Sequence, residues 1–409
     1  MYMLWTMNTL EALRLPKYEP LDPAVMEDPY PAYARLRAAG RICRGGPGLW
    51  VITQHADVAA LLKDHRLCNQ LSSEQARFSF GDNALSDFFE RIILNVVPPH
   101  HTQIRKLMGT AFSPTRVRGL TTTITALLDE LLTPVLDRGE FEVVRDLASP
   151  LPARVVCTLV GVPPSEVDAV CPRATLLSKA ALPRVPDRER QEIEAALKWL
   201  RDYIGAKARE HQRRPGEDLL STMLAAVRGA GGVTWEDVID NIVFLFLAGV
   251  DTTRNVIATG CAALCAHPDQ FARLRAEPEL APRAVEEIIR YDAPIQVADR
   301  RVLEPIEIDG YLIRRDRIVT LLLGSANHDE AVFSDPEAFD INRAPNPHVS
   351  FGGGIHYCIG AVLARMEATA VFSRLATCFA AFEPGGRPAR TLSAAFRSYA
   401  SVPVRVKAF

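Results

Sequence analysis

A chain of 409 residues, 48% hydrophobic and 23% charged, has the make-up of a globular protein and enough length to bury a large core or a bulky cofactor. Its 47 basic and 49 acidic side chains nearly cancel to a formal charge of −2, so no field of one sign invites a nucleic acid or an anionic membrane. The eight cysteines form no CxxC pair and read as reduced thiols, and the opening MYMLWTMNTLEAL, with no basic stretch before its apolar residues, reads as neither a secretory signal nor an anchor.

In chain order, the pattern predicts a helix over Pro31–Ala39 and a strand over Leu49–Thr53. Residues 69–90 show no clean period and carry Phe78, Phe80, Phe88 and Phe89, which reads as a long irregular apolar segment. From Pro99 to Arg228 helices alternate with prolines. Thr234-Trp-Glu-Asp237 has the form of a capping box and opens a helical pattern that runs to Ala266, where His267-Pro268 stops it. A helix of roughly 30 residues, apolar on most faces, belongs in a core. Its apolar run Ile242–Val250 is broken by Asp251 and too short to cross a bilayer, so a soluble, cytoplasmic protein is expected.

After Pro294 the pattern turns to strands: Val297–Val302, Ile306–Ile313 with Asp309-Gly310 as its turn, and Ile318–Leu323. An irregular segment, Asp335–Pro347, leads into a glycine-rich stretch. A long helix over Ala361–Ala381 and a strand-like tail follow. The expectation is a mainly α fold with a smaller β-rich lobe in a single domain over 1–409. Roughly 1–66 and 295–409 form that lobe, and 67–294 are mostly helical.

Four motifs carry chemistry. FGGGIHYCIG, Phe351–Gly360, lacks the Lys of a P-loop, the clustered ligands of a zinc site and a nameable base for a nucleophile. A thiolate on one large cofactor metal remains, beside the plainer reading of a structural thiol. Glycines let backbone amides turn toward the sulfur, and a helix starting at Ile359 puts Cys358 at its positive end, which favours thiolate. AGVDTT, Ala248–Thr253, sets Asp251 and Thr252 into an apolar helix, where Thr252 can bond back to the Ala248 carbonyl. Glu287-Ile-Ile-Arg290 places an acid and a base on one helix face. PPHHTQIRKL puts His101 and Arg105 one turn apart.

Together these segments resemble the cytochrome P450 family, from EDPYPAYARLR (Glu27–Arg37) to RSYASVPV (Arg397–Val404). The cysteine loop is similar to its haem-binding loop through Phe351, Gly354, His356, Cys358 and Gly360, with AVLARMEA following. The resemblance implies the P450 fold, with haem b between the long helix and the helix after the cysteine. It implies Cys358 as the metal ligand and Asp251 and Thr252 as the proton relay for oxygen activation, beside Ala248 and Gly249 where the cofactor approaches. It further implies His101, Arg105, Arg300 (or Arg301, one residue along the strand), His348 and His356 toward the propionates. Glu287, Arg290 and Arg343 become a buried structural network. Val97 where the family often has an acid, and Asn327-His-Asp329 for the more usual Asn-Arg-Asp, are minor departures.

The implied activity is a monooxygenase that puts one oxygen atom of O2 into a hydrophobic small molecule, such as a bacterial natural product. Electrons would pass from NAD(P)H through a ferredoxin or flavodoxin and its reductase, since the 409 residues hold no reductase segment. Lys106 and Arg365 would attract such a partner. The substrate pocket would draw on Phe88, Phe89, Ile92, Leu94, Phe244, Leu247, Ile295, Gln296, Val297 and Tyr399, with Leu176, Leu177 and Leu182 as a mobile roof. A peroxide-driven peroxygenase and a non-catalytic haem sensor are the alternatives, and the acid–alcohol pair argues against both. A monomer is expected.

Overall fold

The computed structural model describes residues 15–46, 48–70, 83–181, 187–227 and 231–409. Its helices are α1 (Pro23–Glu27), α2 (Tyr30–Ala39), α3 (His55–Leu61), α4 (Ala84–Arg91), α5 (His100–Ala111), α6 (Pro114–Gly119), α7 (Thr121–Arg138), α8 (Pro150–Val160), α9 (Val167–Ser178), α10 (Asp187–Arg213), α11 (Leu219–Val227), α12 (Trp235–Ala266), α13 (Pro268–Ala276), α14 (Ala281–Tyr291), α15 (Leu323–Ala326) and α16 (Ala361–Cys378). The strands are β1 (Ile42–Arg44), β2 (Leu49–Ile52), β3 (Leu67–Cys68), β4 (Glu140–Glu142), β5 (Val297–Val302), β6 (Ile306–Ile308), β7 (Tyr311–Ile313), β8 (Ile318–Leu322), β9 (Phe379–Pro384), β10 (Ala389–Thr391), β11 (Ser398–Ser401) and β12 (Pro403–Ala408).

The fold class is the expected one, mainly helical with a smaller strand-rich part. Three local expectations change. Residues 84–91 are a helix rather than irregular chain. Asn83 caps it reciprocally with Ser86, and Leu85, Phe88 and Phe89 bury one face. Phe78 and Phe80 lie outside the described residues. The last helix ends at Cys378, where Phe379 already has extended backbone and begins β9. A short strand, β4, interrupts the helical middle of the chain.

The chain resolves into two compact units. One comprises Met1–Asn69, Ala262–Cys358 and Pro388–Ala400. It holds the five-stranded sheet β1-β2-β8-β5-β3, in which β2 and β8 run parallel and the other pairs antiparallel. Ile52, Val302, Val319 and Leu321 are fully buried in its core. The β6–β7 hairpin turns at Asp309 and Gly310, both with positive φ, as a two-residue primed turn demands.

The other unit comprises Gln70–Cys261, Ile359–Arg387 and Ser401–Phe409. It is helical except for the three-stranded antiparallel sheet β4-β12-β9. The start of α12 is fixed by reciprocal bonds: Asp237 N–H to Thr234 Oγ1 (3.1 Å) and Thr234 N–H to Asp237 Oδ2 (2.8 Å). Along this 32-residue helix, buried Asn241 accepts from the Ile93 amide at 2.7 Å and so tethers the segment after α4. The helix is long and apolar enough to cross a membrane by length and composition, but 67% of that apolar stretch is buried within the protein, as in a core helix.

Candidate active site

The cysteine loop is a tight turn built on glycine. Gly352 and Gly354 have φ of +71° and +60°, and the Cys358 amide closes the turn on the Phe351 carbonyl at 2.9 Å. A Cβ on Gly354 would lie 2.8 Å from the Leu62 carbonyl oxygen, so the position excludes any larger residue. Phe351 lies between the His348 and Tyr357 rings, with centroids 5.8 and 6.4 Å away. Cys358 lies two residues before Gly360, the N-cap of α16.

Behind the loop in sequence stands a buried charge network. Glu287 accepts from Arg290 Nε (2.7 Å) and Nη2 (2.8 Å), from Arg343 Nε (3.1 Å), from Asn346 Nδ2 (3.1 Å) and from the Asp340 amide (3.0 Å). Arg290 also donates to the carbonyls of Asn327, Pro336 and Ala338. Asn327 carries the connection to the loop. Its Oδ1 accepts from the Val349 amide (2.9 Å), and its Nδ2 donates to Ser350 Oγ (2.7 Å), which donates in turn to the Ile289 carbonyl (2.9 Å). The sequence assigns no role to Ser350, and marks Asn327 only as part of Asn327-His-Asp329, where His328 is the departure. That residue packs on the Tyr30 ring at 4.2 Å and bonds Glu337 and the Tyr291 carbonyl.

Strand parity separates the two arginines of β5. Arg300, opposite Val319, is only 7% exposed. Arg301 is ion-paired at 2.9 Å with exposed Asp316. Burial pushes the Arg300 guanidinium down to about 10, still a cation at neutral pH, and its described hydrogen bond goes to the Asp299 carbonyl. His348 has both ring nitrogens engaged. Nδ1 accepts from the Ser350 amide (3.3 Å), so Nε2 is left to donate to Glu286 (3.0 Å). A propionate contact by His348 requires releasing Glu286. His356 is half-buried within the loop.

In the second unit, Thr252 Oγ1 donates to the Ala248 carbonyl at 2.8 Å, one turn back on α12. Asp251 is held by Arg254 at 3.1 Å, both side chains about a fifth exposed (22% and 21%). Arg254 had also escaped the sequence reading, although its i,i+3 spacing from Asp251 was visible there. A Cβ on Gly249 would meet Val156 Cγ2 at 3.1 Å, so the missing side chain lets α12 approach α8. On α5, burial first and the Arg105 charge second hold His101 below the ordinary histidine range, which favours the neutral ring. Arg105 is half-buried and Lys106 exposed on the same helix, and Arg365 is half-buried on α16.

The apolar candidates separate by burial. Phe88, Phe89 and Ile92 are interior, with Phe88 and Phe89 edge to face at 5.4 Å and Arg201 over the Phe88 ring at 5.6 Å. Leu94 is exposed, Phe244 is buried, and Leu247 and Ala248 are half-buried on α12. Ile295 and Val297 are half-buried around a buried Gln296. Tyr399 lies under the Arg390 guanidinium at 4.2 Å. Leu176 is half-buried and Leu177 buried on α9, while Leu182 lies outside the described residues.

Two observations make this donor set fit a haem. Cys358 is the one exposed thiol of the eight cysteines, held on a turn whose backbone excludes larger residues. Arg300 is a buried cation with N–H groups to spare for an acid such as a propionate.

Comparison with known proteins points the same way. A family model described as Cytochrome P450 matches residues 169–395. Cytochrome P450 107B1 of Saccharopolyspora erythraea is 34% identical over 367 residues, 87% of this chain and 88% of that protein. Among solved structures, CalO2 superposes with a TM-score of 0.91 at 33% identity, over 96% of this chain and 100% of that one. P450BioI, in complex with acyl carrier protein bearing hexadec-9Z-enoic acid, gives 0.87 at 30% identity over 94% and 100%.

Proposed function

The chain belongs to the cytochrome P450 family, and on that premise we propose that it is a haem-thiolate monooxygenase acting on an apolar small molecule by hydroxylation or epoxidation. The observation that carries the reading is the single exposed thiol, Cys358, on its glycine turn ahead of α16. When bound, haem supplies the redox chemistry that splits dioxygen and oxidises the substrate.

Cys358 would hold the haem iron through its thiolate, and Arg300, His101, Arg105 and His356 would supply cationic or N–H partners for the two propionates. Thr252 has its proton committed to the Ala248 carbonyl, so its oxygen accepts from a donor until the hydroxyl rotates. Asp251 gives up Arg254 to take a proton from solvent at its carboxylate and pass it on toward Thr252. The half-buried side chains Leu247, Ile295 and Val297 present apolar surface to the substrate. The fatty-acyl cargo in the P450BioI complex supports a long apolar chain among the substrates to be tried, free and on a carrier protein. Electrons come from NAD(P)H through a ferredoxin or flavodoxin and its reductase in the cytoplasm, drawn by Lys106 and Arg365. Charge reversal at these two positions should slow reduction.

The test is spectral and chemical. Protein reconstituted with haem should give the thiolate-type carbon monoxide spectrum, and Cys358→Ser should lose it. A variant that keeps the spectrum would sink the ligand assignment. Product formation driven by NADPH and redox partners, rather than by peroxide alone, separates the monooxygenase from a peroxygenase. Absence of both marks a sensor.

A further inference from the structure

We propose that Cys157 and Cys171 are a redox-active dithiol, a modification site that closes to an intramolecular disulfide and staples α9 to α8. It stands apart from the haem reading, because neither residue has a role there. Their meeting follows from local structure. Gly161, at φ +91°, ends α8, and the amides of Gly161 and Val162 both return to the Cys157 carbonyl, at 3.0 and 2.8 Å. A short connection then starts α9 at Val167, and Cys171 comes one turn in, with its sulfur 3.7 Å from that of Cys157. A disulfide needs about 2.0 Å between sulfurs, so a small side-chain movement closes the bond.

The two thiols are unequal in the way such chemistry requires. Cys157 is fully buried, whereas Cys171 is half-buried and reached by solvent. Solvent access makes Cys171 the thiol that a peroxide meets first, and the hydrogen bond between the two lowers the Cys171 thiol while raising that of Cys157. Arg154 favours the Cys171 thiolate and Asp168 opposes it. By contrast, burial pushes the thiols of Cys43 and Cys265 up to about 11 and 12, which disfavours their thiolates. A peroxide is the oxidant. The Cys171 thiolate attacks one peroxide oxygen, giving sulfenic acid and hydroxide, which takes up a proton to become water. The Cys157 sulfur then attacks the Cys171 sulfur, its proton leaves with the departing hydroxide as a second water, and two thiols have been oxidised by one peroxide.

The staple acts on a helix already tied on its other neighbour. Arg173 of α9 covers the Trp199 ring at 4.2 Å, Trp199 stacks on Tyr203 at 5.1 Å, and Glu166, just before α9, takes bonds from Tyr203 (2.6 Å) and Lys207 (3.0 Å) of α10. A covalent tie to α8 holds α9 between both helices.

Full-length protein treated with hydrogen peroxide, quenched, alkylated under denaturing conditions and mapped by peptide mass should show a peptide pair joined through Cys157 and Cys171, lighter by two hydrogens. The link should form before Cys43 or Cys265 is oxidised and reverse with dithiothreitol, and amide exchange over residues 167–178 should slow several-fold. Cys157→Ala should abolish the link and leave Cys171 as a dimedone-reactive sulfenic acid. Cys171→Ser should leave Cys157 unmodified. Equal alkylation of both thiols before and after peroxide, or pairing of either with another cysteine, overturns the dithiol. Unchanged exchange in α9 after oxidation overturns the staple.

Discussion

Two helices of this protein carry the same local device, an acid followed three residues later by an arginine, and use it in opposite ways. On α14, Glu287 and Arg290 meet at 2.7 Å with both side chains 0% exposed, and nearly every donor and acceptor of the pair is taken by Arg343, Asn346 or main chain. On α12, Asp251 and Arg254 meet at 3.1 Å, each about a fifth exposed. The first pair is over-determined, so it fixes main-chain geometry around Asn327 and the cysteine loop. The second can be opened at low cost, which is what the proton transfer proposed for Asp251 requires. Sequence spacing alone does not distinguish them; the number of additional partners does.

The largest expected effect breaks the first pair. Glu287→Ala leaves Arg290 buried without its acid, and should cost about 3–5 kcal/mol, read as a lower urea midpoint and poor recovery of folded protein. A variant within experimental error of the parent would show that the network is dispensable, and the contrast with α12 would lose its first term. Asp251→Asn should act next most strongly and in a different measurement. Removing the ionisable group should lower partner-driven turnover about 10²-fold, or roughly 2.7 kcal/mol in barrier, while the urea midpoint hardly moves. If stability falls and turnover does not, Asp251 is structural like Glu287.

Much of this contrast was open to sequence reading, and the exceptions have physical causes. The capping box Thr234–Asp237, the full extent of β5 and the Asp309-Gly310 turn depend on local chemistry and appear where the residues imply. Helix α4 was hidden because Leu85, Phe88 and Phe89 have helical spacing over only eight residues, diluted in a longer stretch without period. Strand β4 has three residues and pairs with β12 some 260 positions later, so nothing nearby announces it. The choice between Arg300 and Arg301 turns on which face of β5 is buried, a property of the sheet rather than of the strand. Gly249 had been read as room for a cofactor, and its missing side chain also makes room for Val156.

A third acid sharpens the comparison, because it has burial without an arginine. Glu367 on α16 is fully buried, its Oε2 has no hydrogen-bond partner among the described residues, and burial pushes its carboxyl up to about 8. In the unfolded chain it titrates near 4.3. Below that value both states hold the proton. Between about 4.3 and 8 the unfolded state loses it while the folded state keeps it, so stability falls as pH rises, and above about 8 the loss levels off. Glu367→Gln removes the titration, so its stability relative to the parent should rise across that window. A difference that stays flat from about pH 5 to 8 would mean that Glu367 is not held protonated.

The smallest effect is expected at Arg254, and it decides whether the α12 pair is as loose as its geometry implies. Arg254→Ala removes one ion pair between side chains that still reach solvent, and pairs of that kind contribute up to about 1 kcal/mol, less as salt is added. The urea midpoint should therefore shift slightly at low salt and converge with the parent at high salt. The same substitution at Arg290 removes donors to Glu287 and to three carbonyls in the interior, where salt does not screen. Its loss should persist at every salt concentration. If Arg254→Ala instead destabilised the protein in a salt-independent way, Asp251 would be locked rather than poised. The relay would then need a different residue to carry its proton.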